Sequence, residues 1–227
     1  MNRARQLAPL LATLLAVLLS CGAASAAPVT VDRAVVSFVT RDTGGIVAPR
    51  FVFERQLAFE ARIEALAEGE VHEGDPPYRA RHLRAALDRH VAETVLETLE
   101  IKPRPSETEL RARIEQARLA LVERVGGLVP LREAASAEGI GDWELGRLIR
   151  RQAIASLYLD RMVAPMLDPS DAELRQVLLT QRTPFAGRPF SESASALRRW
   201  YVGTRLQAAL ASFYDGLRSR LSLTVLR

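Results

Sequence analysis

Residues 29–39 of the chain, VTVDRAVVSFV, predict a β-strand, and residues 221–226, LSLTVL, predict a second strand near the other end of the sequence. Apolar residues alternate along both segments, and this period of two is typical of strands. Two isolated strands would leave unpaired backbone edges, so we expect the two segments to pair with each other. The sequence therefore predicts a small sheet that joins the N- and C-terminal strands beneath a mainly α body.

Between the two strands, apolar residues recur every three or four positions, which predicts about six helices. The segments Ser106–Glu109 and Ser170–Glu173 are predicted capping boxes, in which a serine hydroxyl and a glutamate carboxylate satisfy backbone donors of the first turn. Asp142 is the candidate N-cap of a long helix, which Pro165 should kink or end. The sequence thus predicts where most of the helices begin and end.

Three further details are expected from local patterns. Ile46 and Val47, after the turn at residues 42–45, are expected to form a short return strand. Gly203 lies inside the last predicted helix at a cost of about 1 kcal/mol against alanine, which indicates close packing there. His82 and His90 are expected at the surface or its boundary. They lie about 80° apart around a helix, unlike the i, i+4 pair that binds zinc.

The first 26 residues are expected to be a secretory signal peptide. Arg3 and Arg5 give a positive start, residues 7–19 are apolar or small, and Ala24-Ser25-Ala26 has the small-x-small pattern of a cleavage site. The apolar run is shorter than the roughly 20 residues of a spanning helix. Cleavage between Ala26 and Ala27 would leave a periplasmic protein of residues 27–227, which we expect to form a single domain.

Cys21 leaves a second possibility for the N-terminus. Residues 18–21, LLSC, resemble a bacterial lipobox, and cleavage before Cys21 would give a membrane-tethered lipoprotein with a lipid anchor. With cleavage after Ala26, the chain would keep no thiol, because Cys21 is its only cysteine. Both alternatives stay open at this stage, and neither places an integral span in the mature chain.

Charge and motif patterns argue against several classes of function. After residue 26 the chain carries 29 basic and 27 acidic residues that alternate along the helices, without the basic run expected of a nucleic-acid-binding protein. Neither a nucleophile elbow nor a cysteine–histidine pair occurs in that stretch. His72, in an acidic loop at residues 70–75, offers only a weak oxygen-rich metal site, and a solvated loop is expected. The sequence therefore predicts no catalytic residue, cofactor or metal.

A second apolar stripe on the long central helix is the best candidate for a binding surface. A helix with two apolar faces either is buried on both sides or exposes one of them to a partner. Flexible methionine and flat aromatic side chains accept varied apolar partners. The candidate peptide-binding residues are Ile154, Tyr158, Met162 and Met166 on this helix, with Phe185 and Phe190 in a proline-flanked loop.

The succession of segments resembles the N-terminal chaperone module of the SurA family. The resemblance covers about residues 29–226, and its order carries it rather than any single motif. It is carried by residues 31–36 (VDRAVV), 105–110 (PSETEL), 126–127 (GG), 138–140 (EGI), 148–152 (LIRRQ), 169–174 (PSDAEL) and 221–226 (LSLTVL). The resemblance implies a multi-helix domain with paired terminal strands.

One departure from that family affects the expected function. SurA-like proteins carry parvulin isomerase domains where this chain has only residues 182–191, so the resemblance implies the chaperone module without a catalytic part. It implies an ATP-independent periplasmic chaperone for unfolded exported proteins, including outer-membrane proteins. A dedicated adaptor for one folded partner is the alternative, and a peptidyl-prolyl isomerase or other enzyme is the least favoured.

Overall fold

The computed structural model describes residues 32–70 and 77–226. The predicted signal peptide, the lipidation candidate Cys21 and the loop residue His72 lie outside the described residues. Predictions about them remain predictions.

The three-stranded antiparallel sheet has the order β2-β1-β3, with β1 (Ala34–Val39) between β2 (Arg50–Phe53) and β3 (Ser222–Val225). Phe38 lies opposite Leu223, and Val36 lies opposite Val225. Both β1 residues are buried on the face that the helices cover. The prediction that the strands near the two ends of the chain pair with each other is therefore confirmed.

The predicted return strand at Ile46 and Val47 is wrong. These residues lie in a 3-10 turn, and 88% and 92% of their surfaces are exposed. Gly44 and Gly45 adopt positive φ angles of 103° and 70°, a conformation that favours glycine, and they prolong the turn beyond these residues. The return strand is β2 at Arg50–Phe53, further along the chain, and it places Val52 in the core.

Seven α-helices occur in the described residues. They are α1 (Glu54–Ala67), α2 (Ala80–Thr98), α3 (Glu107–Arg124), α4 (Leu128–Ala137), α5 (Asp142–Tyr158), α6 (Asp171–Thr180) and α7 (Phe190–Arg220). The mainly helical fold class is confirmed. The long helix α5 ends at Tyr158. The chain continues as a π-helical turn at Leu159–Val163 and a 3-10 turn at Ala164–Leu167, in the region where Pro165 predicts a kink or an end.

The predicted capping boxes form to different extents. At Ser170 the box is complete, because its hydroxyl accepts the Glu173 N–H and the Glu173 carboxylate accepts the Ser170 N–H. Ser106 accepts the Glu109 N–H, but the Glu109 carboxylate pairs with Arg161 instead of returning to the cap. A tertiary ion pair has therefore replaced half of this local motif.

Two other local predictions are wrong. The N-cap of α5 is Gly141, not Asp142, and the Gly141 N–H donates to Glu144 Oε2 at 2.9 Å. Gly203 is exposed, and an added Cβ there would have no neighbour within 4 Å, so close packing does not explain this glycine.

Three apolar clusters form the core. The largest joins α1, α3, α4 and α5 around Phe59 and Leu131. The second packs α2 against the sheet around Phe38. The third joins α6 to the first half of α7 around Leu174 and Leu197. The 31 residues of α7 extend about 46 Å and connect the third cluster to the sheet.

Within residues 32–70 and 77–226, no helix is both long enough and apolar enough to cross a bilayer.

Candidate functional site

An open groove of about 930 Å³ lies between α3, α5 and the linker that joins α2 to α3. We call it the α3–α5 groove. Its lining combines an apolar interior with charged residues. The apolar members are Leu99, Ile101, Pro105, Leu110, Ile114, Ile154 and Leu157, and the charged members are Glu97, Glu100, Lys102, Arg104, Glu107, Arg111 and Arg150. Its volume falls in the range of about 300–1,000 Å³ that is usual for ligand sites.

The walls of the groove follow from helical spacing. Arg150, Ile154 and Leu157 are four and three residues apart, so they share one face of α5. Leu110 and Ile114 share one face of α3 for the same reason. Ile154, Leu110 and Ile114 are half-buried, which leaves part of each side chain accessible from the groove.

The linker at residues 99–105 closes the third side of the groove. Ile101 is buried, and the Lys102–Pro103 peptide bond is cis. Arg161, in the π-helical turn after α5, donates through Nη1 to the Pro103 carbonyl oxygen at 2.7 Å and pairs with Glu109 of α3. One side chain therefore ties the linker, α3 and the end of α5 together.

The charges at the groove differ in whether they are neutralised. Glu100 pairs with Lys102 at 3.0 Å, and Glu107 pairs with Arg111 at 2.8 Å. Three charged side chains have no hydrogen-bond or ion-pair partner among the described residues. They are Glu97, Arg104 and Arg150, and all three are exposed. The unneutralised charge at the groove is thus two cations and one anion.

The six predicted peptide-binding residues do not share one site. Of the predicted stripe, Ile154 lines the groove and Tyr158 is half-buried beyond it at the end of α5. Met162 and Met166 lie in the turns after α5, where Met162 is half-buried and Met166 is 76% exposed. Phe185 and Phe190 pack against the cluster between α6 and α7. The predicted stripe therefore contributes one residue to the groove, and a peptide-binding role for the other five stays a prediction.

Buried charged residues hold α5, one of the two helices that line the groove, against α1 and α2. Glu60 of α1 contacts His90 Nδ1 at 2.9 Å and accepts from Arg151 Nη2 at 2.8 Å. Arg151 Nε donates to Glu93 at 3.1 Å. We call these four residues the buried charge network. It links α1, α2 and α5, and Arg151 lies next to the groove residue Arg150 in the sequence.

Both histidines contradict the expectation of a surface position. His90 and His82 are buried, the latter completely. Each finds a carboxylate partner, Glu60 for His90 and Glu68 for His82. Burial of these polar side chains depends on partners in another helix or loop, and spacing within α2 does not show those partners.

The pKa values of the two carboxylates of the network are shifted in opposite directions. Burial alone would raise the pKa of Glu60, but the charges and hydrogen bonds of His90 and Arg151 outweigh it and lower the pKa to about 2. For Glu93 burial dominates, with Arg151 opposing it only in part, and it raises the pKa to about 7. Glu60 is thus ionised at neutral pH, whereas Glu93 titrates there.

Glu68, Glu70 and His82 place three ligand atoms within 4.8 Å of one another. Their hydrogen bonds fit an ion-pair cluster better than a metal site. His82 Nδ1 accepts the Arg79 backbone N–H at 3.0 Å, and Nε2 lies 3.2 Å from both Glu68 Oε2 and the Arg81 Nε donor. Metal-bound histidine normally donates from its second nitrogen. Arg81 already pairs with both carboxylates.

Comparisons of the chain with protein-family models, with curated proteins and with solved structures return no match.

Proposed function

We propose that this protein binds extended apolar segments of unfolded exported proteins in the α3–α5 groove. It would act as an ATP-independent periplasmic chaperone without a covalent step. The observation that carries the proposal is the groove itself, which half-buried aliphatic side chains from two helices line together with exposed charged side chains. The resemblance of the sequence to the SurA chaperone module supports the same function.

The shape of the groove favours weak and reversible binding. Apolar burial contributes about 25 cal/mol per Å². Because the groove is open, it covers only one side of an extended segment, and ordering that segment opposes the gain. A holding chaperone needs this balance, since it must release clients without an energy source.

Aliphatic side chains also favour a broad range of clients. Leu110, Ile114 and Ile154 offer contact area without directional hydrogen bonds, so many apolar sequences can fit. Meanwhile the Arg161 contacts hold the linker in place, so the groove exists before a client binds. The proposal therefore combines a preformed site with permissive contacts.

A light-scattering assay with an unfolded outer-membrane protein tests the proposal. We expect the chain from Ala27 onward, in stoichiometric excess, to suppress aggregation. Ile154→Glu should abolish most of that suppression, because it places a charge in the apolar interior of the groove. Leu179→Glu is the matched control, since Leu179 is 82% exposed on α6, and it should suppress aggregation as the wild type does.

Failure of the wild-type protein to slow aggregation would contradict the proposed function. Equal suppression by wild type and Ile154→Glu, with both folded by circular dichroism, would show that clients bind elsewhere.

A further inference from the structure

We propose that the α3–α5 groove selects extended segments that carry an acidic residue two positions from an apolar one. This inference rests on the proposed function and names the class of segment that the groove prefers. It follows from the unneutralised charges of the groove and from the spacing between Arg150 and Ile154.

The cations at the groove differ in whether they have an ion-pair partner. Lys102 and Arg111 are neutralised by glutamates, whereas Arg104 and Arg150 have no partner among the described residues. Guanidinium groups bind carboxylates through paired N–H donors. A carboxylate on a bound segment would supply the acceptor that no described residue supplies to these two arginines.

The distance between Arg150 and Ile154 matches the side-chain spacing of an extended segment. Arg150 and Ile154 are one helical turn apart on the same face of α5, about 6 Å along the helix axis. In an extended segment, residues i and i+2 point to the same side and lie about 6.6 Å apart. A segment lying along α5 can therefore place an apolar side chain on Ile154 and a carboxylate at Arg150 at the same time.

The unneutralised anion at the groove is Glu97. Glu97, also without a partner among the described residues, lines the groove at the end of α2. It repels a carboxylate placed near α2 and attracts a cation there. The two arginines and Glu97 thus favour one placement of the acidic residue over others, because each wrong placement leaves a charge unpaired.

Fluorescence anisotropy with short labelled peptides at low salt tests the inference. The reference peptide carries Val-Ser-Asp between glycine–serine flanks, a neutral partner carries Val-Ser-Asn, and a shifted peptide carries Val-Asp-Ser. The wild type should bind the Val-Ser-Asp peptide about five- to tenfold more tightly than either of the others. Added salt should reduce this preference, since it screens exposed charges.

Two variants assign the preference to the arginines. Arg150→Gln should remove most of the difference between the Asp and Asn peptides, and Arg104→Gln should reduce it. Arg147→Gln is the matched control, because Arg147 is exposed on α5, stacks over Trp143 and lies outside the groove lining. It should keep the full preference.

The outcomes separate the two proposals. Equal binding of the Asp and Asn peptides would overturn this inference and leave the proposed function standing. A preference for the Asp peptide that survives in both Arg104→Gln and Arg150→Gln would also overturn it. Absence of binding to all three peptides, together with unslowed client aggregation, would overturn the proposed function as well.

Discussion

Replacing Arg151 with methionine is expected to lower the free energy of unfolding by about 3–5 kcal/mol at pH 7. Arg151 is buried and donates to both Glu60 and Glu93, so its removal leaves the buried Glu60 and the 13% exposed Glu93 without their shared cation. Methionine has a similar length and keeps the packing of the side-chain stem. Urea denaturation followed by circular dichroism measures the change.

The neighbouring residue supplies a matched control for this substitution. Arg150→Met changes the same residue type one position earlier, where the side chain is exposed and unpaired among the described residues, and should cost no more than about 0.5 kcal/mol. Adding Glu93→Gln to Arg151→Met should recover part of the loss, because glutamine is neutral without taking up a proton when the chain folds at pH 7. A loss below about 1 kcal/mol in Arg151→Met alone would contradict this account of the network.

Replacing Glu93 with glutamine is expected to change how stability depends on pH. Burial raises the pKa of Glu93 to about 7 from its ordinary 4.5, so between these values the folded protein holds a proton that the unfolded chain has released. The stability that this proton confers is complete below pH 4.5 and is lost as pH rises to about 7. For a shift of this size the loss is about 3 kcal/mol. Glutamine resembles the protonated acid and should not show this loss.

The measurement is the difference in unfolding free energy between Glu93→Gln and the wild type, taken from urea titrations between pH 5 and 8. Over this pH range the difference should rise by about 2.5 kcal/mol in favour of the variant. Glu60, whose pKa is about 2, contributes stability that is lost only below pH 4.5 and so does not alter this window. Glu97→Gln, an exposed change on α2, should stay within about 0.5 kcal/mol of the wild type throughout. A flat difference for Glu93→Gln would contradict the raised pKa.

The two predictions also bear on the groove. Arg150 and Arg151 are adjacent residues of α5, one exposed at the groove and the other buried against α1 and α2. The network that fixes the position of α5 therefore also fixes the wall that carries Ile154. A substitution that removes a contact of the network should therefore also change the position of this wall.

Local patterns predicted the elements of this fold better than their ends. The alternation in residues 29–39 and 221–226 predicted two strands that pair, because both segments need a partner, and the strands form at Ala34–Val39 and Ser222–Val225. The return strand was misplaced because Ile46 and Val47 are apolar and look like a strand. Only the positive φ angles of Gly44 and Gly45 show that the turn continues past them.

The buried charge network could not be predicted from hydrophobic periodicity. Glu60 and Arg151 are 91 positions apart, and each looks like a surface residue until the other is placed beside it. Hydrophobic periodicity assigns charged residues to the solvent face, because it considers one helix at a time and contains no information about a partner on a distant helix. The same limit explains why His90 was expected near the surface.

The groove was predicted only in part for a related reason. Ile154 was chosen because it lies on a second apolar stripe of α5, and this residue does line the groove. The other wall comes from Leu110 and Ile114, which belong to a different helix, α3. Its third side comes from a linker whose position depends on Arg161. None of these contacts between segments is visible in the pattern of a single helix.

Site-specific photo-crosslinking tests the central claim most directly. A benzophenone amino acid at Leu110, inside the α3–α5 groove, should form an adduct with an unfolded outer-membrane protein, and the Val-Ser-Asp peptide should compete for it. The same probe at Leu179, exposed on α6, should form little adduct. Strong crosslinking at Leu179 and none at Leu110 would contradict the claim that the groove holds the client.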